Sequence, residues 1–179
     1  MVITNDFNFY KKIKKLKAFG IDKDIKDRKK QGDYDVKSLG FNYRMTDFQA
    51  ALGYKQILQY KKNLKKRQLI AEQYIKNFSK IRNINHMPFS KNCSFFIFQI
   101  FCKNRNKILK NLKKMNIGVS VHYAKCLPKM TYYKKKYNLN INQFKNSDIY
   151  GSTNISLPVY PKLKIREVNT ICKTIINLL

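Results

Sequence analysis

Acidic residues are scarce in this 179-residue sequence, with 10 Asp and Glu against 38 Lys and Arg. The resulting formal net charge of +28 normally suggests a polyanionic partner such as nucleic acid. The lysines are nevertheless spread along the whole chain, and in the densest clusters, residues 11–17 and 61–67, apolar residues recur at helical spacing. We therefore interpret most of this charge as the solvated side of amphipathic helices, and we rank nucleic-acid binding below that interpretation.

Long apolar runs are also missing, so we expect no membrane-spanning segment and no membrane partner. The N-terminus has no apolar stretch between a basic start and a small-residue cleavage site, so we expect no secretory signal. Four scattered cysteines, Cys93, Cys102, Cys126 and Cys172, have no metal-ligand spacing. They favour reduced thiols in a cytoplasmic protein without a metal site.

What the sequence does contain is 44% apolar residues, including 12 Tyr and 12 Phe, which is enough for a packed core. Residues 1–4 are typical of the end of a strand. Asn5 or Asp6 then precedes a basic helix predicted to run to about Ala18 and to stop at Gly20. The polar residues 21–40 predict a long loop.

The best-marked helix start is the capping box formed by Thr46 and Gln49, which predicts a helix reaching Phe78. Gly53 suggests a bend or a close packing contact within it. A helix of this length is typical of a connector between two bodies.

Beyond this helix the sequence alternates between strand and helix patterns. This alternation predicts a two-layer α/β sandwich. The predicted elements are strands at 93–101 and 119–123, a helix capped by Asn104 at 105–115, a helix near 143–152, an extended segment at 155–158 and a final helix near 164–178.

Five segments resemble, in order, the DegT–DnrJ–StrS family of nucleotide-sugar aminotransferases. They are residues 1–6 (MVITND), 17–21 (KAFGI), 39–53 (LGFNYRMTDFQAALG), 118–123 (GVSVHY) and 156–161 (SLPVYP). The resemblance implies the C-terminal part of the type I pyridoxal-phosphate aminotransferase fold, an α/β fold with a long connecting helix and a small α/β sandwich domain. The domains expected from it are residues 1–55, the tail of the large cofactor-binding domain, residues 56–80, the connecting helix, and residues 81–179, the small domain.

The resemblance implies pyridoxal 5′-phosphate as cofactor and transfer of an amino group from glutamate or glutamine to a keto-sugar nucleotide, for surface polysaccharide, lipopolysaccharide or glycan assembly. In the family's order the lysine that anchors the cofactor precedes residue 1, so we assign no catalytic residue and expect no activity of this chain alone. The expected partner is a second copy in a homodimer or the missing N-terminal half.

The residues expected to bind are also implied by the resemblance. Asn42 and Arg44 would contact the cofactor phosphate of the neighbouring subunit, while Tyr43, His122 and Tyr123 would line the substrate pocket. The position of Asn42 and Arg44 before a capped helix N-terminus agrees, because such a terminus favours anions. The alternative from the residues alone is a turn asparagine and a surface ion pair.

Three functional hypotheses remain open from the sequence. The first is a truncated or split aminotransferase that acts with a partner, and the second is a non-catalytic remnant or interaction module. The third is a basic nucleic-acid-binding protein, although the sequence has no helix-turn-helix or zinc pattern.

Overall fold

The computed structural model describes residues 2–179, and they divide into two compact units. The first unit ends at Leu58 and the second comprises Gln59–Leu179. The boundary falls within one long helix, so each unit includes part of it.

The regular elements are mainly helical, with three short strands in the second unit. The helices are α1 (Phe7–Leu16), α2 (Asp47–Phe78), α3 (Arg105–Lys114), α4 (Thr131–Tyr137), α5 (Lys145–Thr153) and α6 (Ile165–Asn177). The strands are β1 (Asn85–His86), β2 (Phe98–Phe101) and β3 (Asn154–Leu157), and 3₁₀ turns cover Ile25–Asp27, Leu127–Lys129 and Ile141–Phe144.

Helix α1 begins where the sequence predicts, at an aspartate cap. The carboxylate of Asp6 accepts hydrogen bonds from the backbone amides of Asn8 at 2.8 Å and Phe9 at 3.1 Å. These bonds satisfy two of the amides that a helix leaves free at its start. The strand expected at residues 1–4 is wrong for residues 2–4, which form no ladder, and Met1 lies outside the described residues.

Two glycines let the chain cross itself closely after α1. Gly20 has a φ of +75°, and a Cβ on Gly40 would lie 2.0 Å from the backbone nitrogen of Gly20. A side chain at position 40 is therefore sterically excluded. This crossing brings residues 40–44 against the end of α1.

The capping box at the start of α2 is confirmed in both directions. The backbone amide of Thr46 donates to the side-chain carbonyl of Gln49 at 3.0 Å, and the amide of Gln49 donates to the Thr46 hydroxyl at 3.3 Å. The predicted end at Phe78 is also confirmed. A Cβ on Gly53 would meet nothing within 4 Å, so the close packing suggested for this glycine does not occur among residues 2–179.

The second unit has its own hydrophobic core around an antiparallel sheet in the order β1-β2-β3. The C-terminal part of α2 contributes Tyr74 and Phe78, and the ring of Tyr74 stacks on Phe98 with centroids 5.0 Å apart. Helix α6 buries Val168, Ile171, Cys172 and Ile175 on one face, as its periodicity predicts. The prediction of an α/β fold with helices on a small sheet is thereby confirmed.

Two strand predictions are too long. The run at 93–101 is extended only at Phe98–Phe101, because Phe95 adopts a left-handed φ of +44° that interrupts a strand. At 119–123 the chain makes a single bridge, from Ser120 to Ser156, instead of a strand. Asn104 precedes α3 as predicted, but its side chain makes no capping hydrogen bond.

No helix within residues 2–179 is both long enough and apolar enough to cross a membrane.

Candidate functional site

In the segment Asn42–Arg44 the backbone is held by hydrogen bonds, while the side chains are exposed to solvent. Asn42 bridges Ala18 in an antiparallel pair, and the backbone amide of Tyr43 donates to the carbonyl of Lys17 at 2.9 Å. The Tyr43 side chain remains 73% exposed. The fold thus places three adjacent polar side chains on a rigid support with free access from solvent.

The guanidinium of Arg44 is positioned by an aromatic ring and not by an acid. Its Cζ lies 4.9 Å from the centroid of Phe19, a residue in the left-handed conformation with φ of +61°. Among residues 2–179, no carboxylate lies within ion-pair distance of Arg44. The alternative of a surface ion pair therefore finds no support within the described chain, and the guanidinium keeps its donors available.

The start of α2 contributes less to anion binding than its position suggests. Its capping box occupies the amide of Gln49, and Asp47 places a carboxylate in the first turn. This negative charge opposes a second anion there. The binding capacity of this segment therefore lies mainly in the Asn42 amide and the Arg44 guanidinium. Such donors fit the phosphate group of pyridoxal phosphate, because phosphate oxygens accept hydrogen bonds from amides and guanidiniums.

His122 and Tyr123 lie together in the second unit, in a segment held by side chains. The backbone amide of His122 donates to Asn154 Oδ1 at 3.1 Å, and its carbonyl accepts from Gln99 Nε2 at 2.7 Å. The Nδ1 of His122 lies 2.8 Å from the hydroxyl of Ser156. The ring is half-buried with one nitrogen engaged, while Tyr123 is 71% exposed.

Three residues that sequence analysis did not single out organise this segment: Gln99, Tyr150 and Asn154. Asn154 is fully buried, and its amide nitrogen donates to the carbonyls of Tyr150 at 2.7 Å and Tyr123 at 3.3 Å. The hydroxyl of Tyr150 donates to Gln99 Oε1. A signal was present in the sequence, because Gln99 interrupts an apolar run and a polar residue at such a position needs a buried partner.

The sequence-predicted residues therefore fall into two local groups. Asn42, Tyr43 and Arg44 lie together in the first unit, and His122 and Tyr123 lie together in the second. Each group has its own supporting contacts, and no residue is shared between the two.

Comparison with known proteins places nearly the whole chain in one protein family. Residues 1–176 match the family model described as the DegT/DnrJ/EryC1/StrS aminotransferase family. The chain is 29% identical over 185 residues to a UDP-4-amino-4,6-dideoxy-N-acetyl-β-L-altrosamine transaminase of Campylobacter jejuni. That alignment covers 99% of this chain and 47% of the relative.

Solved structures give the same result. The fold matches Helicobacter pylori PseC, an aminotransferase of pseudaminic acid biosynthesis, with a TM-score of 0.86, 25% identity and coverage of 98% of this chain and 47% of that one. It also matches a sugar aminotransferase of Streptococcus pneumoniae in its PLP form, with a TM-score of 0.83, 25% identity and coverage of 98% and 44%. The chain thus spans about half the length of the relatives it matches and corresponds to their C-terminal half.

Proposed function

Because the chain belongs to the DegT/DnrJ/EryC1/StrS aminotransferase family, we propose that it is the C-terminal portion of a pyridoxal-phosphate-dependent sugar aminotransferase. The reaction moves an amino group from glutamate or glutamine to a keto-sugar nucleotide. Relatives named for an amino-sugar transaminase and for spore coat polysaccharide biosynthesis support this substrate class and a role in surface glycan or lipopolysaccharide assembly.

The observation that carries the proposal is the exposed, rigidly supported Asn42–Arg44 segment. Bound pyridoxal phosphate supplies an electron sink for the chemistry at the substrate carbon. The residues of this chain act on the phosphate end: the Asn42 amide donates to a phosphate oxygen, and the Arg44 guanidinium supplies positive charge beside it. The amine that anchors the cofactor comes from the other half of the family fold.

We assign these contacts to a homodimer, in which Asn42 and Arg44 reach the cofactor held by the neighbouring subunit. Several features support an intermolecular role: Tyr43 is largely exposed, and neither Asn42 nor Arg44 makes a side-chain hydrogen bond or ion pair within residues 2–179. Side chains that donate to nothing within their own chain are free to donate to a second one.

Tyr43, His122 and Tyr123 form the proposed substrate side of the site. The contact of His122 Nδ1 with Ser156 orients the ring and leaves Nε2 as the nitrogen for a sugar hydroxyl or phosphate oxygen. The exposed ring of Tyr123 lies edge-on to it, with centroids 5.6 Å apart, and provides an apolar surface for a sugar ring.

The test is cofactor retention by the reconstituted enzyme. The chain is co-expressed with the lysine-bearing N-terminal half of a family member, free cofactor is removed by gel filtration, and bound pyridoxal phosphate is measured per chain. We expect Asn42→Ala to weaken cofactor affinity roughly ten- to a hundredfold, since a hydrogen bond to a charged group is worth about 1.5–3 kcal/mol.

Asn8→Ala is the matched control, because Asn8 lies exposed in α1 and the same atoms are removed. It should leave retention unchanged. Equal retention by the Asn42→Ala variant and the unmodified chain would exclude Asn42 from the phosphate site.

A further inference from the structure

The first unit contains a basic cavity that lies beside Arg44. Its volume is about 620 Å³, and its charged lining consists of Lys23, Asp24, Lys26, Arg28 and Arg44. Four of these five residues are basic. All of them lie within the unit that ends at Leu58, so the cavity is complete without any residue of the second unit.

The one acid in the lining is already paired elsewhere. Asp24 lies 2.5 Å from the ammonium of Lys14, and the hydrogen bond from Lys14 lowers the pKa of the Asp24 carboxyl. Among the basic residues, Lys23 is paired with Asp33 at 2.7 Å. No ion pair found within residues 2–179 involves Lys26, Arg28 or Arg44. Lys26, Arg28 and Arg44 therefore line the cavity without a direct ion pair to a carboxylate.

The two arginines are held over aromatic rings. The Cζ of Arg28 lies 4.4 Å from the ring centroid of Tyr34, which also lines the cavity, and Arg44 lies over Phe19. Stacking on a ring face leaves the N–H groups at the edge of a guanidinium free to donate. The side chains are thus oriented before any ligand arrives, which reduces the entropy cost of binding.

Arg28 also carries a buried donor that nothing in the described chain satisfies. Its Nε is inaccessible to solvent and has no hydrogen-bond partner among residues 2–179. Buried N–H groups in folded proteins nearly always have an acceptor, because leaving one unpaired costs about 1–3 kcal/mol. An anionic acceptor brought by a ligand would remove this cost and balance the surplus charge.

We infer that this cavity is a binding site for a phosphate or diphosphate group, held by Arg28 and Arg44 with Lys26 as a third cation. Guanidiniums match phosphate oxygens with paired hydrogen bonds, for which a monatomic anion such as chloride lacks the second acceptor atom. The anion site shares Arg44 with the proposed function, but binding of a simple phosphate anion to it can be measured without that function. Naming its natural ligand rests on that function, which offers two phosphate sources: the cofactor and the diphosphate of a nucleotide sugar.

The first experiment measures binding of inorganic pyrophosphate to the full chain by calorimetry at fixed ionic strength. Arg28→Gln should weaken the affinity at least roughly tenfold. Lys30→Gln removes the same charge from an exposed lysine outside the cavity lining, and it should change the affinity less than about twofold if the site is local. Equal losses for the two variants would show that net charge alone attracts the anion and would overturn the proposal.

A second pair of variants tests whether the two arginines bind the same anion. Arg28→Gln combined with Arg44→Gln should lose less affinity than the sum of the single losses, because residues sharing one ligand are coupled. Arg28→Lys keeps the charge but loses the planar fork, and it should fall between the unmodified chain and Arg28→Gln. Independent, additive losses would contradict a shared site. Circular dichroism of each variant verifies its fold.

Competition then separates the two phosphate sources. Pyridoxal phosphate and uridine diphosphate are each titrated against bound pyrophosphate, and the tighter competitor identifies the source that the cavity serves. Failure of both to compete would overturn the assignment of the natural ligand to the cofactor or to the nucleotide sugar. A chain that binds pyrophosphate through Arg28 but forms no active enzyme with the other half would refute the proposed function and leave the anion site standing.

Discussion

The second unit buries many of its large apolar side chains, whereas the first unit leaves most of its own exposed. Between Ile70 and Ile175 the second unit buries eighteen hydrophobic residues in one continuous cluster. In residues 2–58 only Gly20 is buried, and large apolar side chains such as Phe48 and Leu52 are more than half exposed. The first unit is instead held by backbone hydrogen bonds, helix caps and surface ion pairs.

This contrast shows that two segments of similar composition can differ in whether they bury a hydrophobic core of their own. Residues 2–58 bury almost no apolar side chains, and apolar burial is the usual source of folding free energy. Surface ion pairs such as Lys14–Asp24 do not replace it, because they contribute little to stability. Exposed apolar surface of this extent normally marks an interface. The contrast agrees with a chain that spans about half of its relatives' length, and it supports the proposal that the first unit is completed by another half or another copy.

The largest expected difference between the two units is in the free energy of unfolding when one phenylalanine of each unit is truncated to alanine. Phe98→Ala removes a fully buried ring stacked on Tyr74 and should lower the free energy of unfolding by about 3–5 kcal/mol. Phe48→Ala removes the same atoms from a side chain that is 78% exposed, and it should change this free energy by no more than about 0.5 kcal/mol. Urea unfolding followed by circular dichroism measures both.

Similar decreases in the free energy of unfolding for the two variants would contradict the difference between the two units. A large cost at Phe48 would mean that residues 2–58 contribute packing energy within the chain itself. A negligible cost at Phe98 would mean that the second unit has no cooperative core.

A smaller loss of stability should appear in alkaline solution, and its source should be two buried groups of the second unit. Burial raises the pKa of the Cys172 thiol from 9.0 to about 11, and burial also raises the pKa of the Tyr74 hydroxyl. Both groups are neutral when protonated, so the folded state keeps its protons to higher pH than the unfolded state. The stability that Cys172 contributes is complete below pH 9 and is lost as the pH rises to about 11.

The expected loss from Cys172 is about 2–3 kcal/mol over that window, since each pKa unit corresponds to about 1.4 kcal/mol. Cys172→Val keeps an apolar side chain of similar size without an ionisable group. Its free energy of unfolding should fall less steeply between pH 9 and 11 than that of the unmodified chain. Parallel pH profiles would show that the thiol ionises equally in both states.

The sequence predicts best where local chemistry determines structure. The capping box at Thr46 and Gln49 locates the start of α2, and the spacing of Val168, Ile171, Cys172 and Ile175 identifies the buried face of α6. Such signals need only neighbouring residues, so a single sequence is sufficient to read them. The family resemblance, and with it the fold, was also readable from short motifs.

Strand boundaries were mispredicted because tertiary contacts override the pattern. Phe95 is buried as an apolar run implies, yet it stacks on Phe89 in a left-handed conformation that ends the extended segment. Near His122 the side chains of Gln99 and Asn154 take the backbone hydrogen bonds that a strand partner would otherwise make. The first outcome involves Phe89, a near neighbour in the sequence, whereas the second depends on residues distant in sequence.

The basic cavity could not be predicted for the same reason. Lys23, Lys26 and Arg28 lie in a polar loop without periodicity, and nothing in their spacing distinguishes them from the other lysines of a basic chain. Only the fold shows which cations are paired with acids and which are free, because Asp33 and Lys14 approach from outside the cavity lining.

The most direct test of the account is amino transfer by the reconstituted enzyme. The chain is combined with the lysine-bearing N-terminal half of a family member, and transfer of nitrogen-15 from labelled glutamate or glutamine to a keto-sugar nucleotide is followed by mass spectrometry. The account predicts labelled amino-sugar only when both halves are present, with a lower yield for Asn42→Ala. A complex of both halves that transfers no label, or an N-terminal half that transfers it equally well alone, would contradict the account.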